Sequence, residues 1–179
     1  MTISMLLIKF DHTRLVTDYC GHIARSLKWT EADVDAMRLV GYFHDYGSVL
    51  EIATTDSFLH VCDHGFDGYW IIKNSVFGDL LNENQLHAIR YHNSPDVVEP
   101  CNKFLKVLRD ADKLAVFELT NELINKGELE KYCRKFLKCG EIAYAKSIYR
   151  WLQDINYEWT SLRILDMHIK ERLESLLNG

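Results

Sequence analysis

The residues of this chain best suited to chemistry are a histidine and an aspartate that stand side by side, His44 and Asp45. They follow the stretch MRLVGYF, whose apolar character is typical of a buried helix face. Imidazole and carboxylate groups can bind a metal ion, transfer a proton or form an ion pair. Two more residues of these types, His12 and Asp112, occur in other apolar stretches.

Helical periodicity places His12, His44 and Asp112 on helix faces that are otherwise apolar, with Asp45 at the edge of its face. The apolar neighbours are Met37, Val40 and Gly41 for His44; Val16, Tyr19 and Ile23 for His12; and Leu105, Leu108, Val116 and Leu119 for Asp112. Asp110, two residues earlier, is expected on the lysine-rich polar side of its helix. Three separate helices therefore each present an ionisable group to the interior.

Burial of a lone carboxylate is costly unless a partner compensates its charge or its pKa shifts until it is neutral. An ion pair and a metal ion are the two simplest compensations. Taken singly, His12 is better explained as a hydrogen-bonded core histidine, and Asp112 fits an ion pair as well as a ligand. Taken together, the mixed nitrogen and oxygen set favours a divalent ion, Mn²⁺, Fe²⁺, Co²⁺, Ni²⁺ or Mg²⁺, with positions left for water and substrate.

The periodicity of the whole chain predicts the helices that would position these side chains. They span 11–29, 30–47, 64–74, 82–92, 102–125, 128–138, 141–157 and 160–177, with N-terminal caps at Thr30 and Thr160 and a stop at Gly47. Residues 48–62 are less regular. We predict one all-α domain over 1–179, a compact multi-helix bundle with its motifs within 12–112 and its C-terminal helices within 128–177.

Composition narrows the classes of partner. The formal net charge is −5 and no lysine- or arginine-rich stripe occurs, which argues against a long nucleic acid. The five cysteines form no CxxC pair, which favours reduced thiols in a cytoplasmic protein.

The apolar start of the chain lacks the features of a signal peptide, and no apolar run reaches the length of a membrane span. A homodimer is compatible with the sequence.

The order of His12, the HD pair at 44–45 and Asp112 in RDADKLAVF resembles the HD superfamily of metal-dependent phosphohydrolases. Further segments resemble small stand-alone members: HGFDG at 64–68, AIRYHN at 88–93 and YRWLQDINYEWTSLRIL at 149–165. The resemblance covers about residues 12–165. It implies an all-helical HD-domain bundle in which His12, His44, Asp45 and Asp112 bind a divalent metal. His64 and His92 would lie nearby as ligands of a second ion or as contacts to phosphate.

The resemblance also implies a reaction, the hydrolysis of a phosphate ester of a nucleotide or another small phosphorylated metabolite by metal-activated water. Asp45 would bridge two ions or orient the water, and His64 or His92 would protonate the leaving group. Asn93 replaces the second histidine that some relatives carry, and the GYP extension of cyclic-di-GMP phosphodiesterases is absent. Two alternatives stay open: a di-iron oxygenase with the HD fold, and a non-catalytic module that senses a nucleotide.

Overall fold

Helices make up the fold of the protein, for which a computed structural model describes residues 2–55, 63–94 and 102–178. The helices are α1 (Thr2–Ser26), α2 (Glu31–Phe43), α3 (Tyr46–Thr55), α4 (His64–Lys73), α5 (Glu83–Tyr91), α6 (Lys103–Lys126), α7 (Leu129–Tyr132), α8 (Glu141–Trp151), α9 (Glu158–Asp166) and α10 (Ile169–Asn178). A 3₁₀ turn at Gly78–Leu80 precedes α5, and a π turn at Cys133–Leu137 extends α7. The described residues contain no strand, so the all-α prediction is confirmed.

Helix α1 forms the centre of the molecule, because it packs along both α2 and α6. The apolar faces predicted for these three helices meet there. Their fully buried members include Val16, Ile23, Met37, Val40 and Leu108, whereas Val116 and Leu119 of α6 are only partly buried. The site residues on these helices are therefore held by the main core of the protein.

Side chains at the helix N-termini fix where the helices that carry site residues begin. Thr30 accepts a hydrogen bond from the Asp33 amide at the start of α2. Asp63 does the same for the Phe66 amide in α4. Asn82 forms a reciprocal capping box at the start of α5, and Asn102 accepts from two amides of α6. Each cap satisfies amides that otherwise lack a partner at a helix start.

The predicted stop of α2 at Gly47 is wrong. Helix α2 ends at Phe43, and Gly47 lies inside α3. A Cβ atom at Gly47 would lie 2.3 Å from the His64 carbonyl oxygen and 2.8 Å from the Gly68 amide nitrogen. Glycine is needed here because the backbones of α3 and α4 approach too closely for any side chain.

The C-terminal region also differs from its prediction. Helix α8 ends at Trp151 instead of continuing to 157, and the predicted helix 160–177 is divided into α9 and α10 at His168, where φ is 50°. Thr160 does not cap a helix: it lies inside α9 and is fully buried. The C-terminal helices pack onto α6, α9 also contacts α1, and α10 packs against α8.

Asp110 explains why the chain turns into α9 earlier than predicted. Its carboxylate accepts hydrogen bonds from the Asn156 amide at 3.0 and 3.1 Å, from the Asn156 side chain at 2.7 Å and from the Tyr157 amide at 3.0 Å. Asp110 is fully buried, so its predicted place on the polar side of α6 is wrong. These bonds fasten the start of α9 to α6.

The described cysteines Cys20, Cys133 and Cys139 are free thiols. Cys62 and Cys101 lie outside the described residues. Among the described helices, none has both the length and the hydropathy that crossing a membrane requires.

The close approach of α3 and α4 predicts that Gly47→Ala destabilises the protein. Overpacking of a tight contact typically costs about 1–3 kcal/mol, and we expect a loss of unfolding free energy in that range by urea titration. Gly21→Ala is the matched control, because a Cβ there meets only flexible arginine side chains and alanine favours the helix. Equal stability of the two variants would contradict the close-contact account.

Candidate metal centre

The structure brings all six predicted site residues together around one carboxylate, that of Asp45. They come from five places in the fold. His12 lies on α1, His44 and Asp45 form the turn between α2 and α3, His64 begins α4, His92 directly follows α5, and Asp112 lies on α6. A short turn that joins two helices thus places two of the groups at the point where the other helices converge.

The two oxygens of Asp45 face different histidines. Oδ2 lies 2.9 Å from His44 Nε2 and 3.3 Å from His12 Nε2. Oδ1 lies 3.6 Å from His64 Nε2 and 3.8 Å from His92 Nε2. A carboxylate in this position can contact two groups of ligands at once.

Asp112 completes the first of these groups. Its Oδ1 atom lies 3.0 Å from His12 Nε2 and 3.9 Å from His44 Nε2. His12, His44 and Asp112 offer ligand atoms that all lie within 4.8 Å of one another, and the same holds for His44, Asp45 and His92. Both sets combine imidazole nitrogen with carboxylate oxygen, the donors that suit a divalent transition metal.

Backbone carbonyls orient two of the imidazoles. His44 Nδ1 lies 2.7 Å from the Gly41 carbonyl oxygen, and His92 Nδ1 lies 2.7 Å from the Ile89 carbonyl oxygen. In the neutral ring that donates from Nδ1, Nε2 has no proton, as in histidines that bind metals. In that tautomer both Nε2 atoms would direct a lone pair towards Asp45.

The surroundings of His44 Nε2 test whether these residues fit a cation. This atom is buried and makes no hydrogen bond, although Asp45 Oδ2 is only 2.9 Å away. In the neutral tautomer that donates from Nδ1, the lone pair of Nε2 would repel this carboxylate, and burial excludes the water that would relieve the repulsion. A cation between the nitrogen and the carboxylates removes the repulsion, so the donor set fits a metal ion.

One side of the cluster is closed and the other reaches solvent. The side chains of His44, His92 and Asp45 are 0%, 2% and 4% exposed, whereas those of His64 and Asp112 are 13% and 31% exposed. Any ligand from solution would therefore approach past His64 and Asp112.

The charges of the cluster stabilise one another. Burial alone would raise the pKa of Asp45, but His44, Lys9 and His12 outweigh it and hold that pKa well below its usual range. Burial likewise opposes ionisation of Asp112, yet His12 lowers the pKa of this carboxyl. For His12, burial lowers the pKa, and hydrogen bonds to Asp112 and Asp45 raise it overall. His92 follows the same pattern: burial lowers its pKa, but Asp45, Asp112 and the Ile89 carbonyl together raise it overall.

Sequence reasoning missed Lys9. Its Nζ atom lies 2.5 Å from Asp45 Oδ2, and its side chain is only 13% exposed. The available signal was its spacing: Lys9 precedes His12 by three residues, so both share one face of α1. A lysine near an apolar face is ordinarily interpreted as snorkelling to solvent, which hides this signal.

Arg109 was missed as well. Its guanidinium donates to the carbonyl oxygens of Tyr91 at 3.0 Å and His92 at 3.3 Å, and also to that of Ser94. It therefore fastens the end of α5, which carries His92, to α6. On the same helix, Lys113 pairs with Asp154 at 2.7 Å. Asn93, which replaces the second histidine that some relatives carry, has its side chain 3.5 Å from His64 Nδ1.

A family model described as HD domain matches residues 10–116, more than half of the chain and the span that contains all six site residues. The protein therefore belongs to the HD-domain family, as the order of its motifs predicted. Members of this superfamily are hydrolase-type proteins that bind divalent metals, and the histidine and aspartate clusters of this chain could hold such an ion. No curated protein and no solved structure matches the sequence.

The shifted pKa values predict how the stability of the metal-free protein depends on pH. Asp45 and Asp112, whose pKa values are lowered on folding, stabilise the fold above their unfolded pKa of about 4 and lose this effect in acid. His12 and His92, whose pKa values are raised, stabilise it below their unfolded pKa of about 6.5 and lose this effect as the pH rises through the folded pKa.

We therefore expect the unfolding free energy in EDTA to be higher at about pH 5.5 than at about pH 8. Urea titrations at both pH values measure it, and His12→Gln should flatten the dependence. Greater stability of the wild-type protein at the higher pH would contradict the charge arrangement described above.

Substitutions at Asp110 and Asp112, two residues apart, should separate an effect on stability from an effect on metal binding. Asp110→Asn weakens the bonds that hold α9 and should lower the melting temperature by a few degrees, since each such bond contributes about 1 kcal/mol. Asp112→Asn removes a charged ligand and should weaken Mn²⁺ binding at least about tenfold, as measured by calorimetry. Loss of Mn²⁺ affinity only in Asp110→Asn would reverse the assignment.

Proposed function

We propose that this protein is a metal-dependent phosphohydrolase that cleaves a phosphate ester of a nucleotide or another small phosphorylated metabolite. The observation that carries the proposal is the buried Nε2 atom of His44, which has no hydrogen-bond partner and faces the carboxylates of Asp45 and Asp112. Membership of the HD-domain family supports the same chemistry. The substrate of this enzyme would be a small anion in the cytoplasm.

His12, His44, Asp45 and Asp112 would hold the ion, which is Mn²⁺, Fe²⁺, Co²⁺, Ni²⁺ or Mg²⁺. When bound, such an ion lowers the pKa of a water molecule and offsets the negative charge of a phosphoryl group. The two carboxylates balance the charge of one divalent ion. His64 and His92, which face the other oxygen of Asp45, would hold a second ion if two are bound.

The remaining steps belong to side chains of the chain itself. His64 lies on the exposed side of the cluster, and its Nε2 atom would give a proton to the leaving oxygen. His92 is the second candidate for this role, but it is almost fully buried. Asp45 Oδ1 accepts a hydrogen bond from the attacking water and orients it. Burial of the closed side limits the water that can reach the reacting atoms.

The test is a screen of the chelated and Mn²⁺-reloaded protein against a panel of phosphorylated metabolites that includes nucleoside monophosphates. We expect phosphate release by the reloaded protein and none after chelation, with Co²⁺ or Ni²⁺ also restoring it. His44→Ala should reduce release by at least about a thousandfold, because it removes a ligand from the ion that activates water. His168→Asn is the control, because His168 is exposed and asparagine accepts its positive φ.

Two results would replace the proposal. Bound iron that consumes O₂ without phosphate release would favour the di-iron oxygenase. Tight nucleotide binding with no turnover for any metal would favour the sensing module. Phosphate release that survives in His44→Ala would exclude this site as the source of the activity.

A further inference from the structure

Lys9 lies against the carboxylate oxygen at the centre of the site. Its Nζ atom is 2.5 Å from Asp45 Oδ2, the same atom that lies 2.9 Å from His44 Nε2 and 3.3 Å from His12 Nε2. Lys9 lies on α1, one turn before His12. The ammonium group therefore lies beside the proposed ion.

The side chain of Lys9 is partly exposed. It is 13% exposed, whereas His44 is fully buried. A phosphoryl group bound to an ion beside Asp45 Oδ2 would therefore come within reach of the ammonium group, which contacts the same oxygen. The four-carbon stem of lysine allows the ammonium group to turn from Asp45 towards such a ligand.

Charge indicates what Lys9 would do there. One divalent ion and the carboxylates of Asp45 and Asp112 sum to zero, so a site of these groups alone has little net attraction for an anion. The ammonium group adds one positive charge within contact distance of the same carboxylate. A charge-assisted hydrogen bond from lysine is a common means of binding a phosphoryl oxygen.

We propose that Lys9 is the substrate-binding residue of this site that contacts the phosphoryl group and favours dianionic phosphate monoesters over monoanionic diesters. This inference rests on the proposed function. A monoester has one more terminal oxygen and one more negative charge than a diester, so it gains more from a second cation beside the ion. The preference is thus a property of Lys9 and is separable from the capacity to bind metal.

The experiment uses calorimetry on the full chain loaded with Mn²⁺ and freed of excess metal. Inorganic phosphate represents a monoester and dimethyl phosphate a diester, both at about pH 8, where phosphate is mainly dianionic. The variants are Lys9→Met, which keeps the length of the side chain, and Lys9→Arg, which keeps its charge. Lys126→Met, exposed at the far end of α6, is the matched control. Circular dichroism checks the helical content of each variant.

We expect Lys9→Met to bind phosphate about tenfold to a hundredfold more weakly, the range of one charge-assisted hydrogen bond. The affinity for dimethyl phosphate should change less, and Lys9→Arg should retain part of the phosphate affinity. Mn²⁺ should bind Lys9→Met as well as or better than the wild-type protein, because a like charge beside the ion has been removed.

Three results would overturn the inference. Unchanged phosphate affinity in Lys9→Met with normal Mn²⁺ binding would overturn the inference about Lys9 but not the proposed function. Weaker Mn²⁺ binding, with the phosphate affinity of the loaded protein unchanged, would make Lys9 a positioning residue for Asp45. Failure of the wild-type protein to bind Mn²⁺ would overturn the proposed function and this inference together.

Discussion

The buried carboxylate of Asp45 is the constraint on which the rest of the structure depends. A carboxylate in this position is unfavourable unless several cationic or hydrogen-bonding groups surround it. Four imidazoles and one ammonium group have polar atoms within 4.0 Å of it: His12, His44, His64, His92 and Lys9. The imidazoles carry a full charge only when protonated. A divalent ion would supply the charge that the neutral rings do not.

The fold provides the rigidity that such an arrangement requires. The α2–α3 turn carries His44 and Asp45, and it is held by the glycine contact between α3 and α4. Arg109 fastens the end of α5 to α6, and Asp110 fastens the start of α9 to the same helix. Helix α6 thus joins three parts of the molecule and carries Asp112 as well. Side chains fixed in this way lose little further entropy when a ligand binds.

The sequence was informative where a single helix determines which residues are buried. The apolar faces of α1 and α2 predicted buried positions for His12 and His44, which are 7% and 0% exposed. The same reasoning was only partly right for α6, where Asp112 is 31% exposed. Prediction from the sequence failed where a neighbouring helix determines whether a residue is buried or where a helix ends. Asp110 lies on a side of α6 that would be polar in isolation, and α9 covers it. The division at His168 and the role of Gly47 likewise depend on neighbouring helices. Lys9 was not predicted as a site residue because its partner, Asp45, is distant in sequence.

In the proposed site, four side chains from three separated stretches of the chain bind one cation. Anomalous X-ray scattering from crystals soaked in Mn²⁺, recorded on both sides of the Mn absorption edge, tests this directly. The account predicts a peak within coordination distance of His12, His44, Asp45 and Asp112. A map with no peak among these residues, or with the strongest peak elsewhere, would contradict it.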